Sequence, residues 1–461
     1  MTRNRVHVPR SLAILLALAL VLTACGGRRD DSESTGGGGE GSTGTEGEGA
    51  GAVDASNCPE TGTSGVEDGT IKFVSSFPQS GMTAAFSEIS KGYKAYFQYL
   101  NEEEGGVEVA GESYQIEIED LDDEYNPART STNIDELMGV EGDQAFGVFN
   151  VVGTANNIAI RDNLGDLCVP NVFAATGSPA WGNEEYPWTI GSTLAAYSLE
   201  GAVFADLLKQ EQPDATVAML VQEDDFGRAY EEGFRNAIEG SDIEIVQVES
   251  YPTGANEVSA QMTSLAATDA DAFFNGATLL ACPNALQRAD AEGWDPITWV
   301  SGTCISKTLM GIAGESATDV YSMTNVMDPL NPQYDGEEAM QLYREKVEQY
   351  QPDADIDNGI VAYGWTQGVL LVEALRNSEE LTRQSFMQSV RTLDGVEGGL
   401  LLPGTSVTTS APDDTFMGEA VQLIQYGFNG SPDNSYFENV GELRDFEGET
   451  PDLTPSELIN A

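Results

Sequence analysis

The sequence predicts an α/β protein made of two doubly wound parallel-sheet lobes. Two observations carry this. From Ile71 onward, short apolar runs alternate with longer amphipathic ones, the pattern of strands and covering helices. After about residue 190 the alternation starts again, which requires a second sheet. The stretch from about Cys58 to Ala461 is long enough for two domains with real cores.

In the first series, Ile71–Ser75 reads as a strand ending in the turn Ser76-Phe77-Pro78-Gln79-Ser80-Gly81. Ala84, Phe86, Ile89, Tyr93, Tyr96, Phe97 and Leu100 recur at helical spacing. Tyr114–Glu119 alternates as a strand, and Asn126-Pro127 opens a helix to about Gly139. Ala145–Asn150 and Cys168–Ala174 are short buried strands around a helix from about Thr154 to Leu164.

The second series opens with a helix over about Thr193–Gln210. Strands follow at Thr216–Val221, Ile243–Glu249, Ala272–Asn275 and Ile297–Ser301. Helices at Phe226–Glu239, Asn256–Ala267 and Pro283–Glu292 separate them. Later come a strand at Asp319–Asn325, helices at Glu337–Gln351, Ile360–Asn377 and Thr382–Arg391, and a strand at Glu419–Gln425. Alternation of this length means parallel sheets covered on both faces.

The N-terminus is of another kind. A basic head (Arg3, Arg5, Arg10) precedes an apolar run from Leu12 to Leu22, too short to span a bilayer. Leu22-Thr23-Ala24-Cys25 resembles the lipobox of bacterial lipoproteins. That resemblance makes residues 1–24 a signal peptide and Cys25 the lipidated first residue of the mature chain. Residues 25–57 are almost entirely Gly, Ser, Thr, Glu and Asp, a flexible tether with nothing to bury.

Charge and composition exclude several functions. The chain has 21 basic and 76 acidic residues, a formal charge of −55. Losing Arg3, Arg5 and Arg10 with the signal moves it to near −58. Such a surface repels nucleic acid and bare anionic lipid. It reads either as a host-wide surface bias or as a cation-binding function. The single histidine, His7, lies in the signal. Ser-His-Asp and Cys-His nucleophiles and His-ligated metals are therefore excluded. Carboxylate or lysine catalysis stays open.

Cys58, Cys168, Cys282 and Cys304 are an even set in an exported chain, which argues for two disulfides. Of three pairings, Cys58–Cys168 and Cys282–Cys304 keep each bond within one half of the chain. None forms a CxxC, so redox and zinc roles find no support.

Ligands of doubly wound sheets sit beyond the carboxyl ends of the strands. In the first lobe this singles out Phe77 and Ser80, Gly153 and Thr154, and Ala175 and Thr176. Glycine with hydroxyl residues at helix starts suits a small carboxylate, although Thr154 and Ser178 also read as plain helix caps. In the second lobe it singles out Asp225 and Phe226, Asn275 and Thr303. Carboxylates at Glu223, Asp224 and Asp225 suit an ammonium group, or simply an acidic helix start. The cluster Asp120, Asp122, Asp123 and Glu124 lacks the spacing of a calcium loop, so no metal or other cofactor is expected.

The order of these features resembles the solute-binding proteins of branched-chain amino acid type ABC transporters, the type I periplasmic-binding-protein fold of the leucine/isoleucine/valine-binding family. Its carriers are Ser80-Gly81, Gly92-Tyr93-Lys94-Ala95-Tyr96-Phe97 with Asn101, Asp122-Asp123-Glu124-Tyr125-Asn126-Pro127, Gly153-Thr154, Val169-Pro170, Ala175-Thr176-Gly177, Asp224-Asp225-Phe226-Gly227, and Tyr363 with Ala374-Leu375. They span about Cys58 to Gly441. The resemblance implies a clamp crossed three times near residues 190, 327 and 400, with 58–190 plus 328–400 as lobe I and 191–327 plus 401–461 as lobe II. It also implies a monomer that captures a small polar ligand, an amino acid or amide, and delivers it to an ABC permease. The turns at Gly153-Thr154 and Ala175-Thr176 would hold the ligand carboxylate, and Phe226 would meet it from the other lobe. An acid is expected after the strand ending at Ser301, where this chain has Thr303; either Asp225 substitutes for it, or the ligand lacks an ammonium group, as an amide, urea or small organic acid does. Alternatives are a sensing subunit of the same fold and a surface carboxylate-based hydrolase.

Overall fold

The computed structural model describes residues 53–59, 62–139 and 141–461. The signal, Cys25 and most of the tether lie outside them. Val53 and Ala55 do not behave as tether: Val53 is buried in the core of the first lobe, and its carbonyl accepts a hydrogen bond from Gln384.

Seven strands make the first sheet: β1 (Val66–Glu67), β2 (Thr70–Phe77), β3 (Val107–Val109), β4 (Glu112–Asp122), β5 (Gly147–Phe149), β6 (Asn171–Ala174) and β7 (Thr189–Gly191). Their order is β3-β4-β2-β5-β6-β7, with β1 on β2. The second sheet has β8 (Thr216–Gln222), β9 (Glu244–Tyr251), β10 (Ala272–Gly276), β11 (Ile297–Val300), β12 (Tyr321–Thr324), β13 (Ala420–Gly427), β14 (Tyr436–Asn439) and β15 (Arg444–Asp445). Its order is β14-β13-β12-β11-β10-β8-β9, with β15 on β13.

The central strands of both sheets are parallel, and in each the order reverses beside its first long strand, β2 or β8. These switch points open a crevice at the carboxyl ends. The sheets are mixed rather than wholly parallel. Antiparallel β1 and β3 join the first, and antiparallel β13, β14 and β15 extend the second. Both lobes are of the α/β class, as the sequence predicts.

Helices α1 (Glu88–Tyr99), α2 (Pro127–Met138) and α3 (Thr154–Asp166) belong to the first lobe. The second contains α4 (Tyr197–Glu211), α5 (Asp225–Ala237), α6 (Ser259–Ala266), α7 (Ala281–Glu292) and α8 (Lys307–Ala313). The chain then returns through α9 (Glu338–Tyr350), α10 (Gly359–Arg376) and α11 (Arg383–Arg391), and ends in α12 (Thr450–Leu453) and α13 (Ser456–Ile459). Local chemistry sets several starts. Asn126 accepts hydrogen bonds from the backbone of Ala128 and Arg129 with Pro127 at the first position, and Asp224 accepts one from Gly227.

One face of the first sheet packs on α1, α9, α10 and α11 around Phe73, Phe149, Trp365 and Phe386. The other face packs on α2 and α3 through Val74, Val148, Ile134 and Ile160. Two further clusters cover both faces of the second sheet. Disulfides join Cys58 to Cys168 and Cys282 to Cys304, the expected pairing.

Three crossovers lie side by side. Asn325 donates to the Thr193 carbonyl, and Val326 bridges to Leu401. Leu400, Leu401, Leu402 and Val407 sit in the first lobe's core, and Ala411 donates to the Arg391 carbonyl. Phe416 already belongs to the second lobe's core. Three consecutive leucines find their apolar cover in lobe I, and Met417 still packs there beside Phe416, so the chain touches both cores at this passage.

Gly418 is pressed against the first crossover: a Cβ there would stand 2.1 Å from the Thr193 oxygen and 2.9 Å from the Ala195 nitrogen. Both are backbone atoms and cannot step aside. Gly418→Ala is expected to cost about 1–3 kcal/mol of folding stability, read by urea denaturation. A variant as stable as the parent would show that the three strands are not held this closely.

Candidate functional site

A cavity of about 130 Å³ lies between the lobes. At about 30 Å³ per water, that is room for roughly four waters. Gly153, Ala175 and Thr176 line it from the first sheet, and Phe226, Thr278, Gly302 and Thr303 from the second. Most of the remaining wall is apolar: Phe86, Ile89, Tyr125, Leu194, Tyr197, Met323, Ile360 and Tyr363. No Lys or Arg lines it among the described residues.

The lobe I wall is a hydroxyl cluster. The Thr154 and Thr176 hydroxyls lie 2.6 Å apart, and that of Tyr197 lies 3.0 Å from Thr176. Trp181 Nε1 donates to the Thr176 carbonyl at 2.9 Å and fixes the turn. Gly153 precedes α3, so the positive end of that helix opens at the wall.

The lobe II wall carries a buried acid. Glu200, on α4, is 3 % exposed. Its Oε1 accepts from the Tyr230 hydroxyl at 2.7 Å, and its Oε2 accepts from Gly302 N at 2.9 Å and Trp299 Nε1 at 3.3 Å. Burial pushes its carboxyl up to about 7 against these stabilising bonds. From Tyr230 a chain of hydroxyls runs through Ser301 (2.8 Å) and Thr303 (2.8 Å) to Thr278 (3.0 Å) at the cavity surface.

The second acid is Asp328, in the second crossover. It accepts the Leu330 N–H at 3.0 Å, and burial pushes its carboxyl up to about 6. Asp328 is enclosed by protein yet keeps some accessible surface, because that surface faces the cavity.

Of the sequence-predicted residues, Gly153, Ala175, Thr176, Phe226 and Thr303 line the cavity. Five do not. Phe77 is a core residue of lobe I, since its strand turns it inward. Ser80 is exposed and bonds to Asp122, outside the crevice. Thr154 sits behind Thr176, 1 % exposed. Asn275 is fully buried, with its amide on the Cys282 carbonyl and its oxygen on Ala277 N. Asp225 opens α5 and faces a separate small pocket with Arg228, so it does not replace the acid expected near Thr303. Glu200 brings a carboxylate to that turn from α4. The cluster around Asp120 is absorbed internally: Asp123 accepts from Ser76, Thr130 and Tyr125 N, and Asp122 accepts from Gln79 N.

Residues 70–431 match the family model described as periplasmic binding protein. The chain belongs to the periplasmic binding protein family. A search of the curated proteins gives no match. Among solved structures, this binding protein is similar to a substrate-binding periplasmic protein from Ralstonia solanacearum, with 22% identity and a TM-score of 0.69 over 80% of this chain and 100% of that one. It is similar to a branched-chain amino acid ABC transporter protein from Thermus thermophilus with bound valine: 16% identity, TM-score 0.69, 82% and 96% covered. A fatty acid ABC transporter substrate-binding protein from Thermomonospora curvata gives 17% identity and a TM-score of 0.71, with 86% and 97% covered. These likenesses establish the fold.

Family membership makes this a ligand-binding protein and implies an extracytoplasmic location. No helix among the described residues is long and apolar enough to cross a membrane.

Proposed function

We propose that this is a lipid-anchored solute-binding protein that takes up a small amino acid or amide with an apolar body and passes it, as a monomer, to an ABC permease. One observation carries the reading: an apolar interlobe cavity with hydrogen-bonding groups of opposite kind on its walls. The Thr176 hydroxyl cluster and the start of α3 suit a carboxylate or carbonyl oxygen. Asp328, with Glu200 behind the Thr303 turn, suits an N–H or ammonium end. No cation among the described residues lines the cavity, which disfavours a ligand that is only an anion. The structural relatives named above differ in the ligands they are named for, valine and fatty acid, so they do not choose between ligands. The anchor reading rests on Cys25 and its preceding small residues.

The test is a thermal-shift screen of the body against leucine, isoleucine, valine, their amides, benzoate and short fatty acids. A ligand at about 100 times its Kd stabilises by about 2.7 kcal/mol. A shift with the amino acids or amides is expected, and Thr176→Val is expected to reduce that affinity about tenfold, the cost of about 1.4 kcal/mol for one lost hydrogen bond. A shift with benzoate or fatty acids alone overturns the ligand class. No shift with any of them overturns the reading as a whole.

A further inference from the structure

Beyond the cleft, three acids converge where the third crossover meets the C-terminal segment. One carboxylate oxygen from each of Asp414, Glu419 and Glu447 lies within 4.8 Å of the other two. Asp414 and Glu419 are 5 % and 2 % exposed. Among the described residues, none of the ion pairs involves any of the three. Glu419 accepts the backbone N–H groups of Gly448 and Thr450, both at 3.2 Å, so its position is built by the fold. Asp414 Oδ1 accepts the Phe416 N–H at 2.9 Å, whereas its Oδ2 is buried and has no hydrogen-bond partner. A buried carboxylate oxygen without a donor, on a residue grouped with two more carboxylates, is left uncompensated.

We propose that Asp414, Glu419 and Glu447 form a binding site for Ca²⁺. The donor set is all oxygen, as a hard divalent cation requires. Two oxygens on one Ca²⁺ are separated by at most twice the metal–oxygen distance, about 4.6–5.2 Å, so the three carboxylates need little movement to share an ion. Burial, followed by the Asp414 charge, pushes both Glu419 and Glu447 up from the ordinary carboxylate range. A bound cation reverses that effect by favouring the charged forms. The ion would fasten the crossover residues Asp414 and Glu419 to Glu447, just ahead of α12, and so fix the C-terminal segment to the hinge.

The test is calorimetric titration of CaCl₂ into the EDTA-treated, dialysed protein, with thermal melts alongside. Binding of one Ca²⁺ is expected, with a Tm rise of about 3 °C or more at about 10 mM CaCl₂. Asp414→Asn and Glu447→Gln should both lose it. Glu447 is exposed, so Glu447→Gln remains folded even where Asp414→Asn does not. Undiminished Ca²⁺ binding in Glu447→Gln overturns the site. So does a Tm rise reproduced by NaCl at equal ionic strength, because the cation would then only be screening an acidic surface.

Discussion

Glu200→Gln is expected to remove a large part of the protein's pH-dependent stability. The Glu200 carboxyl stands at about 7 in the folded protein against an ordinary 4.5, chiefly because it is buried. The folded state therefore holds this proton more tightly than the unfolded chain. The contribution is fully present below about pH 4.5 and is lost as pH rises through about 7. Its size follows from the shift, about 3 kcal/mol at roughly 1.4 kcal/mol per unit. Glutamine fits the same bonds. Its oxygen accepts from Gly302 and Trp299, and its NH₂ donates to the Tyr230 oxygen, leaving Tyr230 to donate to Ser301. Asp328 and the other raised acids titrate in both proteins, so the difference between parent and variant isolates Glu200. Urea denaturation at pH 5 and pH 8 measures it. If Glu200→Gln retains the parent's full difference between the two pH values, the carboxylate does not carry the effect. Hydroxyls from Tyr230 through Ser301 to Thr303 and Thr278 link Glu200 to the cavity wall.

Glu200 also marks the limit of what the sequence discloses. Strand ends are legible because apolar runs stop at glycine and hydroxyl residues, and Gly153, Ala175, Thr176, Phe226 and Thr303 follow from that rule. Thr154 and Asn275 obey the same rule, yet sit one layer deeper. Which way a side chain points after a strand depends on packing that no local pattern records. Glu200 is the only charge between Ala195 and Ala205, an isolated acid on an apolar helix face, and that was its available signal. Asp328 stands in a crossover without periodicity and had none. The same contrast holds for the fold. Long alternating elements such as β4, β8 and α10 are readable, whereas β3, β7 and β15 have two or three residues and exist through their neighbours. Asp414, Glu419 and Glu447 are brought together only by the path of the third crossover.

Lys307→Met is expected to loosen the closed clamp. Lys307 begins α8 in the second lobe, and its side chain is 14% exposed. Its Nζ lies 3.2 Å from Asp355 and 3.7 Å from Asp357, in the lobe I loop before α10, and 3.0 Å from Asp433 in its own lobe. Burial works against its charge, but the carboxylates of Asp433 and Asp355 outweigh burial and raise its pKa. The acids are partly exposed, so solvent screens each pair, and the two pairs that cross the cleft contribute only about 1–2 kcal/mol to closure. Removing the lysine also leaves the three acids to repel one another across the cleft mouth. A loss of that size raises the Kd of a ligand held between the lobes about 5- to 30-fold, since both lobes line the cavity. Two readings check it. Small-angle scattering without ligand should show a larger radius of gyration for the variant. Raising NaCl should weaken ligand binding in the parent and leave the variant nearly unchanged. Equal scattering and equal salt dependence in the two proteins would mean that closure rests on the apolar contacts instead, such as Leu279 packed into the core of lobe I.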